Sequence, residues 1–132
     1  MAGDGTKTQI TGVRTVGVPV RDQGKALHFY TRVLGFDTRM DVSIATGMRW
    51  IEVAPPGAST SIALVLENDG VPAGVETGIR LSTADADADR ATLLARGADA
   101  GEVLRWPGVP PMFAFRDQDG NGLVLVQELG ES

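Results

Sequence analysis

Glu52 and Arg80 are the residues of this chain best suited to chemistry. Each sits in an alternating, strand-like run: Met48, Trp50 and Glu52 share one side of the first, Gly78, Arg80 and Ser82 one side of the second. A partly buried guanidinium needs an anionic partner. Two partners fit Arg80: Glu52, as an internal ion pair, or the carboxylate or phosphate of a ligand. The internal pair is the expectation, because folded proteins seldom leave buried charge uncompensated. A carboxylate in an apolar cavity has a raised pKa and can serve as acid or base. A Glu52/Arg80 pair would then suit a metal-independent isomerase, lyase or hydrolase. Trp50 and Trp106 usually would be core residues, but paired at a cavity mouth they would stack a flat or cationic ligand.

Other chemistry-bearing groups have plainer readings. His28, the one histidine, falls opposite the Leu27, Tyr30 and Leu34 stripe of its helix and so faces solvent. Asp117-Gln-Asp-Gly-Asn-Gly-Leu-Val-Leu-Val-Gln-Glu128 has the letters of a calcium loop. Its Leu-Val-Leu-Val alternates like a strand and Pro110 and Pro111 precede it, so a hairpin turn is expected instead. Asp85, Asp87 and Asp89 lie where a helix start favours acids. The absence of cysteine removes disulfides, thiolate catalysis and Cys-based metal sites.

These residues are positioned by a duplicated unit. Val16-Gly-Val-Pro-Val-Arg-Asp22 leads into Lys25-Ala-Leu-His-Phe-Tyr-Thr-Arg-Val-Leu34 and Gly35; Ile79-Arg-Leu-Ser-Thr-Ala-Asp85 leads into Asp89-Arg-Ala-Thr-Leu-Leu-Ala-Arg96 and Gly97. Both read as strand, Asp cap, amphipathic helix and Gly stop. The first helix has Ala26, Leu27, Tyr30, Val33 and Leu34 as its apolar stripe. Further strands are predicted at about 36–44, 48–54 and 60–66, then 76–83, a helix at 86–96, and strands near 101–105, 111–116 and 122–128. The result is an α+β fold of two β-α-β-β-β modules, about 10–67 and 75–129, joined by a turn-rich linker at about 68–74. One face of the strands is bulky and suits the helices. The other carries Gly17, Ser61, Ala63, Gly78 and Gly122, small enough to leave a cavity inside a curved mixed sheet.

The 132 residues fit a single domain, with 42% hydrophobic and 22% charged residues. A net charge of -5 with scattered Lys and Arg argues against a nucleic-acid partner. No apolar run is long enough to cross a membrane. The start, Met1 to Gln9, lacks a secretion pattern and reads as a flexible leader, so a cytoplasmic location is expected.

The segments Val16 to Asp22, Ala26-Leu-His-Phe-Tyr30 through Val33-Leu-Gly-Phe36, and Phe115-Arg-Asp-Gln-Asp-Gly-Asn-Gly-Leu123 resemble the vicinal oxygen chelate superfamily, which includes glyoxalase I, extradiol dioxygenases, and bleomycin and fosfomycin resistance proteins. The resemblance implies the same paired-module fold. It also implies a divalent ion held by four His or Glu side chains, at positions that fall here on Thr15, Ala63, Gly78 and Val124; a one-residue slip gives Arg14, Ile62, Ile79 and Leu125. Neither set contains an ordinary ligand, so no metal and no cofactor are expected. The expectation is a metal-free protein that binds a small organic molecule, such as a drug or metabolite, in a cavity lined by Thr15, Trp50, Glu52, Ala63, Arg80, Trp106, Met112 and Val124. Resistance-type relatives commonly hold a drug between two subunits, which implies a homodimer. The alternatives are the Glu52/Arg80 enzyme and a metal-dependent lyase or dioxygenase with relocated ligands.

Overall fold

The alternating runs fold as two mixed sheets in a computed structural model that describes residues 5–128; the first residues of the expected leader and the chain end beyond 128 lie outside it. The first sheet has the order β1-β4-β3-β2, from β1 (Thr15–Val20), β2 (Asp37–Ala45), β3 (Met48–Ala54) and β4 (Ser61–Leu66). The second runs β5-β9-β8, with β6 and β7 both paired to β8: β5 (Glu76–Thr83), β6 (Asp99–Ala100), β7 (Leu104–Trp106), β8 (Val109–Arg116) and β9 (Gly122–Gln127). In each sheet the strand before the helix lies parallel to the last strand, β1 to β4 and β5 to β9.

The helices start where the sequence places their caps. The Asp22 carboxylate accepts from Lys25 N at 2.9 Å and that of Asp85 from Ala88 N at 3.0 Å, each on extended backbone. Gly35 and Gly97, both at positive φ, follow the helices. Helix α2 (Ala86–Ala95) is regular, but α1 (Gln23–His28) passes into a π-helical turn, Phe29–Val33, in which Leu34 N bonds to Phe29 O. Phe29 turns inward beside Tyr30, so Gln23, Ala26, Phe29 and Tyr30 are buried, while Leu27, Val33 and Leu34 of the expected stripe are partly buried against the same core. Gln23 can be buried because its amide donates to Arg49 O and Leu64 O and its carbonyl accepts from Arg49 N. A second departure is the strand expected near 101–105. It is split into β6 and β7: the Gly101 N–H still donates to Ala114 O on β8 at 2.8 Å, but its carbonyl is taken by Arg90 Nε at 2.6 Å.

Both helices cover the bulky sheet faces. Val18, Val20, Ile51, Val53, Ile62 and Leu64 from the first sheet join Phe113, Phe115, Leu123 and Leu125 from the second in a single core. The two halves are also joined through polar groups at the β8–β9 turn. Asp117 Oδ2 accepts from Tyr30 Oη at 2.9 Å, and Asn121 donates to Pro19 O at 2.8 Å while accepting from Gly74 N and Val75 N. The calcium-loop letters thus form a hairpin turn that brackets the two halves. Burial and the neighbouring Asp117 push the Tyr30 phenol far above its ordinary pKa, so it stays a donor.

Candidate functional site

Away from the helices, strand parity sets Met48, Trp50 and Glu52 of β3 on one face with Thr15 and Gly17 of β1, Ser61, Ala63 and Val65 of β4, and Met40 and Val42 of β2. On the second sheet the corresponding face carries Arg80, Val124 and Ala114 in one row, and Ser82, Val126, Met112 and Leu104 in the next. Between β1 and β4 on one side and β5 on the other lies a cleft of about 680 Å³, whose walls include Gly17, Ser61, Thr77, Gly78 and Arg80. A smaller hollow of about 190 Å³, lined by Arg14, Arg39, Met40 and Glu52, shares Ser59 and Ser61 with it. A separate crevice of about 240 Å³ beneath α2, reached by Leu34, Phe36, Leu93 and Arg96, contains none of the expected site residues.

The cleft wall is shaped by a bulge. Glu76 pairs with Gly122 and Arg80 with Val124, so β5 has extra residues between two closely spaced partners on β9. Gly78, at φ +74, lies within this irregularity, and Thr77 Oγ1 satisfies it by donating to Gly122 O and accepting from Ile79 N. A side chain at that φ would be strained, which accounts for glycine at a cleft-lining position.

Glu52 is buried and held as an ion. Its carboxylate accepts from Trp50 Nε1 at 2.7 Å, from Ser61 Oγ at 2.8 Å and from Thr15 Oγ1 at 3.4 Å, and Arg14 lies 3.7 Å away. The bonds from Trp50 and Ser61, ahead of Arg14, hold its pKa below the usual glutamate value despite burial. This corrects the expectation of a raised carboxyl: Glu52 does not carry a proton to donate near neutrality. The internal pair with Arg80 is likewise corrected, because Arg14 takes that place. Arg80 is exposed; its Nη1 donates at 3.4 Å to Gly78 O on its own strand, and no described carboxylate lies within ion-pair distance.

The lowered pKa predicts a pH effect with a definite sign. A carboxylate depressed in the fold stabilises it above the unfolded pKa, and that contribution is lost as pH falls through the folded value. Glu52→Gln should therefore be less stable than the parent at pH 7, and the gap should close on acidification toward pH 3. Denaturant midpoints across that range check it; a gap that widens in acid would contradict the assignment.

The other expected residues are placed as follows. Thr15 is half-buried and bonded to Ser61 at 2.8 Å; Ala63 is buried opposite Glu52. Met112 and Val124 are half-buried on the open face of the second sheet. Trp50 and Trp106 are both partly exposed, 36% and 53%, and are not core residues; within one chain they belong to different sheets. His28 is exposed. Arg14, Arg39 and Ser59 were not expected at the site. Arg14 precedes the first strand, Ser59 lies in the turn before β4, and Arg39 sits in β2 at a register shift between Thr38 and Met40, so strand alternation carries no signal for them.

A divalent centre does not fit these residues. Thr15 offers a hydroxyl already bonded to Ser61 and Glu52, Ala63 and Val124 offer only hydrocarbon, and Gly78 offers nothing. Among the described residues no group of three or more His, Cys, Asp or Glu is placed to hold a metal ion. Among them, too, no helix is long and apolar enough to cross a membrane.

Known proteins share this architecture. The profile of the Glyoxalase/Bleomycin resistance protein/Dioxygenase superfamily matches residues 12–125. TnmS3, an antibiotic binding protein from Streptomyces sp. CB03234, is 38% identical, with a TM-score of 0.84 over 93% of this chain and 100% of that one. A superfamily member from Sphaerobacter thermophilus DSM 20745 is also 38% identical, with a TM-score of 0.85 over 92% of this chain and all of that one. A glyoxalase/bleomycin resistance protein from the same Streptomyces strain is 39% identical, with a TM-score of 0.78 over 88% and 100% of the two chains. Among curated sequences, the uncharacterised YetH of Bacillus subtilis (strain 168) is 42% identical over 55 residues, 42% of this chain and 46% of that protein, so the match spans under half of it.

Proposed function

The chain belongs to the Glyoxalase/Bleomycin resistance protein/Dioxygenase superfamily, and from that membership we propose that it is a metal-free binding protein that sequesters a small organic molecule, a drug or metabolite, between its sheets. The observation that carries this reading is the cleft of about 680 Å³. It lies within the usual size range of small-molecule sites, and beside it the open face of the first sheet presents Trp50, Met48, Met40 and Val42 to solvent. Aromatic and thioether side chains adapt to flat organic surfaces. The nearby carboxylate, Glu52, has its lone pairs engaged and its charge offset, so it serves to hold Trp50 in place. The antibiotic-binding description of TnmS3, 38% identical over nearly the whole chain, supports the same class.

The working unit of this reading is a homodimer. All nine residues of β2 are exposed, and its open face continues the apolar surface of Met48 and Trp50, while Leu104, Trp106 and Val109 are exposed on the second sheet. Apolar surface of this extent calls for cover. A second copy laying its second sheet over the first would provide it and would bring both kinds of tryptophan to one groove. Cytoplasmic location remains part of the proposal.

Titration of one-, two- and three-ring aromatic carboxylates and their carboxamides, read by tryptophan fluorescence, tests the binding reading. Saturable quenching by at least one probe is expected; no response from any would overturn it. Sedimentation equilibrium should give twice the chain mass, and a monomer at all concentrations would remove the dimer.

A further inference from the structure

Among the described residues, Arg80 is the one charged residue in the wall of the larger cleft, in a chain whose net charge is -5. Five other arginines, Arg14, Arg21, Arg49, Arg105 and Arg116, are each paired to a carboxylate. Arg80, like Arg32, Arg39, Arg90 and Arg96, has no carboxylate partner among the described residues; where Arg39, Arg90 and Arg96 donate to carbonyls of distant segments at 2.6–3.2 Å, Arg80 reaches only Gly78 O two residues back, at 3.4 Å. Its position is also built: the β5 bulge at Gly78 fixes the backbone from which it projects, and the positive φ there restricts what else could occupy the turn. Where the cleft meets the smaller hollow at Ser59 and Ser61, Arg14 and Arg39 add two positive charges against the one negative charge of Glu52. The whole trough is thus locally cationic within an acidic molecule, and a low-dielectric cleft concentrates such a field.

Resting on the binding reading above, we propose that the ligand is an organic anion, a flat or ring-bearing molecule whose carboxylate is received by the Arg80 guanidinium. Its two parallel N–H donors match a carboxylate in bidentate geometry. The uncharged walls, Val16, Gly17, Pro55, Ile62 and Ile79, receive the hydrocarbon part. The Arg14/Glu52 pair lies at the other end of the trough, where it leaves Arg80 free of internal competition.

The test compares benzoate, 2-naphthoate and 9-anthroate with their carboxamides, titrated by calorimetry into the parent, Arg80→Ala and Arg80→Lys. The parent should bind the best carboxylate at least tenfold more tightly than its carboxamide, and this preference should shrink as salt is raised. Arg80→Ala should lose about tenfold for the carboxylate while leaving the carboxamide within about twofold; Arg80→Lys should recover part of the loss. Arg80 has no tertiary hydrogen bond, so unchanged circular dichroism should accompany both variants. Equal binding of acid and amide, or a carboxylate affinity indifferent to Arg80→Ala, would overturn the anion assignment and leave the binding reading intact. Silence from all six probes would overturn both.

Discussion

Asn121→Ala should lower the melting temperature by about 10–20 °C, the largest loss of stability expected from a single polar substitution in this chain. Asn121 is fully buried, and its amide makes four bonds: it accepts from Gly74 N and Val75 N and donates to Pro19 O and Asp117 Oδ2. Alanine would leave the buried Pro19 carbonyl and the part-buried N–H groups of Gly74 and Val75 without their partner, each costing about 1–3 kcal/mol, the N–H groups toward the low end. Partial relaxation brings the expected sum to about 3–5 kcal/mol. The loss is not local. Gly74 and Val75 lead into the second sheet, Pro19 belongs to the first, and Asp117 receives the phenol of Tyr30 from the π-helical turn after α1, so the two halves should loosen together. Thermal unfolding followed by circular dichroism measures the shift. A drop of under about 3 °C would mean that the turn does not bracket the halves.

The second large effect is on binding. Trp50 lines neither hollow but stands on the same sheet face as Glu52 and Ser61 beside them, and Trp50→Ala should weaken the best aromatic probe by about thirtyfold, roughly 2 kcal/mol, if a ligand in the cleft extends over that face. The indole is oriented by its own hydrogen bond to Glu52, which Ser61 and Thr15 hold in turn, so the ring meets a ligand without first being ordered. Trp50→Phe retains a ring but loses that bond, and should retain affinity to within about fivefold. Calorimetry is the proper readout because both substitutions remove a fluorophore. Unchanged affinity in Trp50→Ala would place the ligand away from the open face of the first sheet.

The architecture was legible because it rests on local signals repeated twice. Asp22 and Asp85 cap, Gly35 and Gly97 stop, and the parity of Ile62 and Leu64 or Leu123 and Leu125 orients each strand toward the helices. What alternation could not supply was non-local geometry. The π-helical turn at Phe29–Val33 and the break in the strand near 101–105, where Arg90 takes the Gly101 carbonyl, have no counterpart in the alternation of residues. The partner of Glu52 was misjudged for the same reason. Arg14 and Arg80 both flank the site in sequence terms, and only the arrangement of β1 beside β4 shows that Arg14 is the one at hand. The raised carboxyl was misjudged because desolvation was considered without the three donors that offset it. Gly78 was read as merely small; its positive φ, which a sequence does not display, is the firmer reason for glycine there.

The positions at which the family resemblance implies metal ligands fall on Thr15, Ala63, Gly78 and Val124, and the proposal rests instead on organic binding by the cleft's own side chains. The most direct test is a calorimetric titration of the aromatic carboxylates and carboxamides into protein stripped with a chelator, repeated after resupply of Zn²⁺, Mn²⁺ or Mg²⁺. The account predicts saturable binding in stripped protein, with an affinity that no added ion changes by more than about twofold. Binding that appears only once an ion is restored would contradict it.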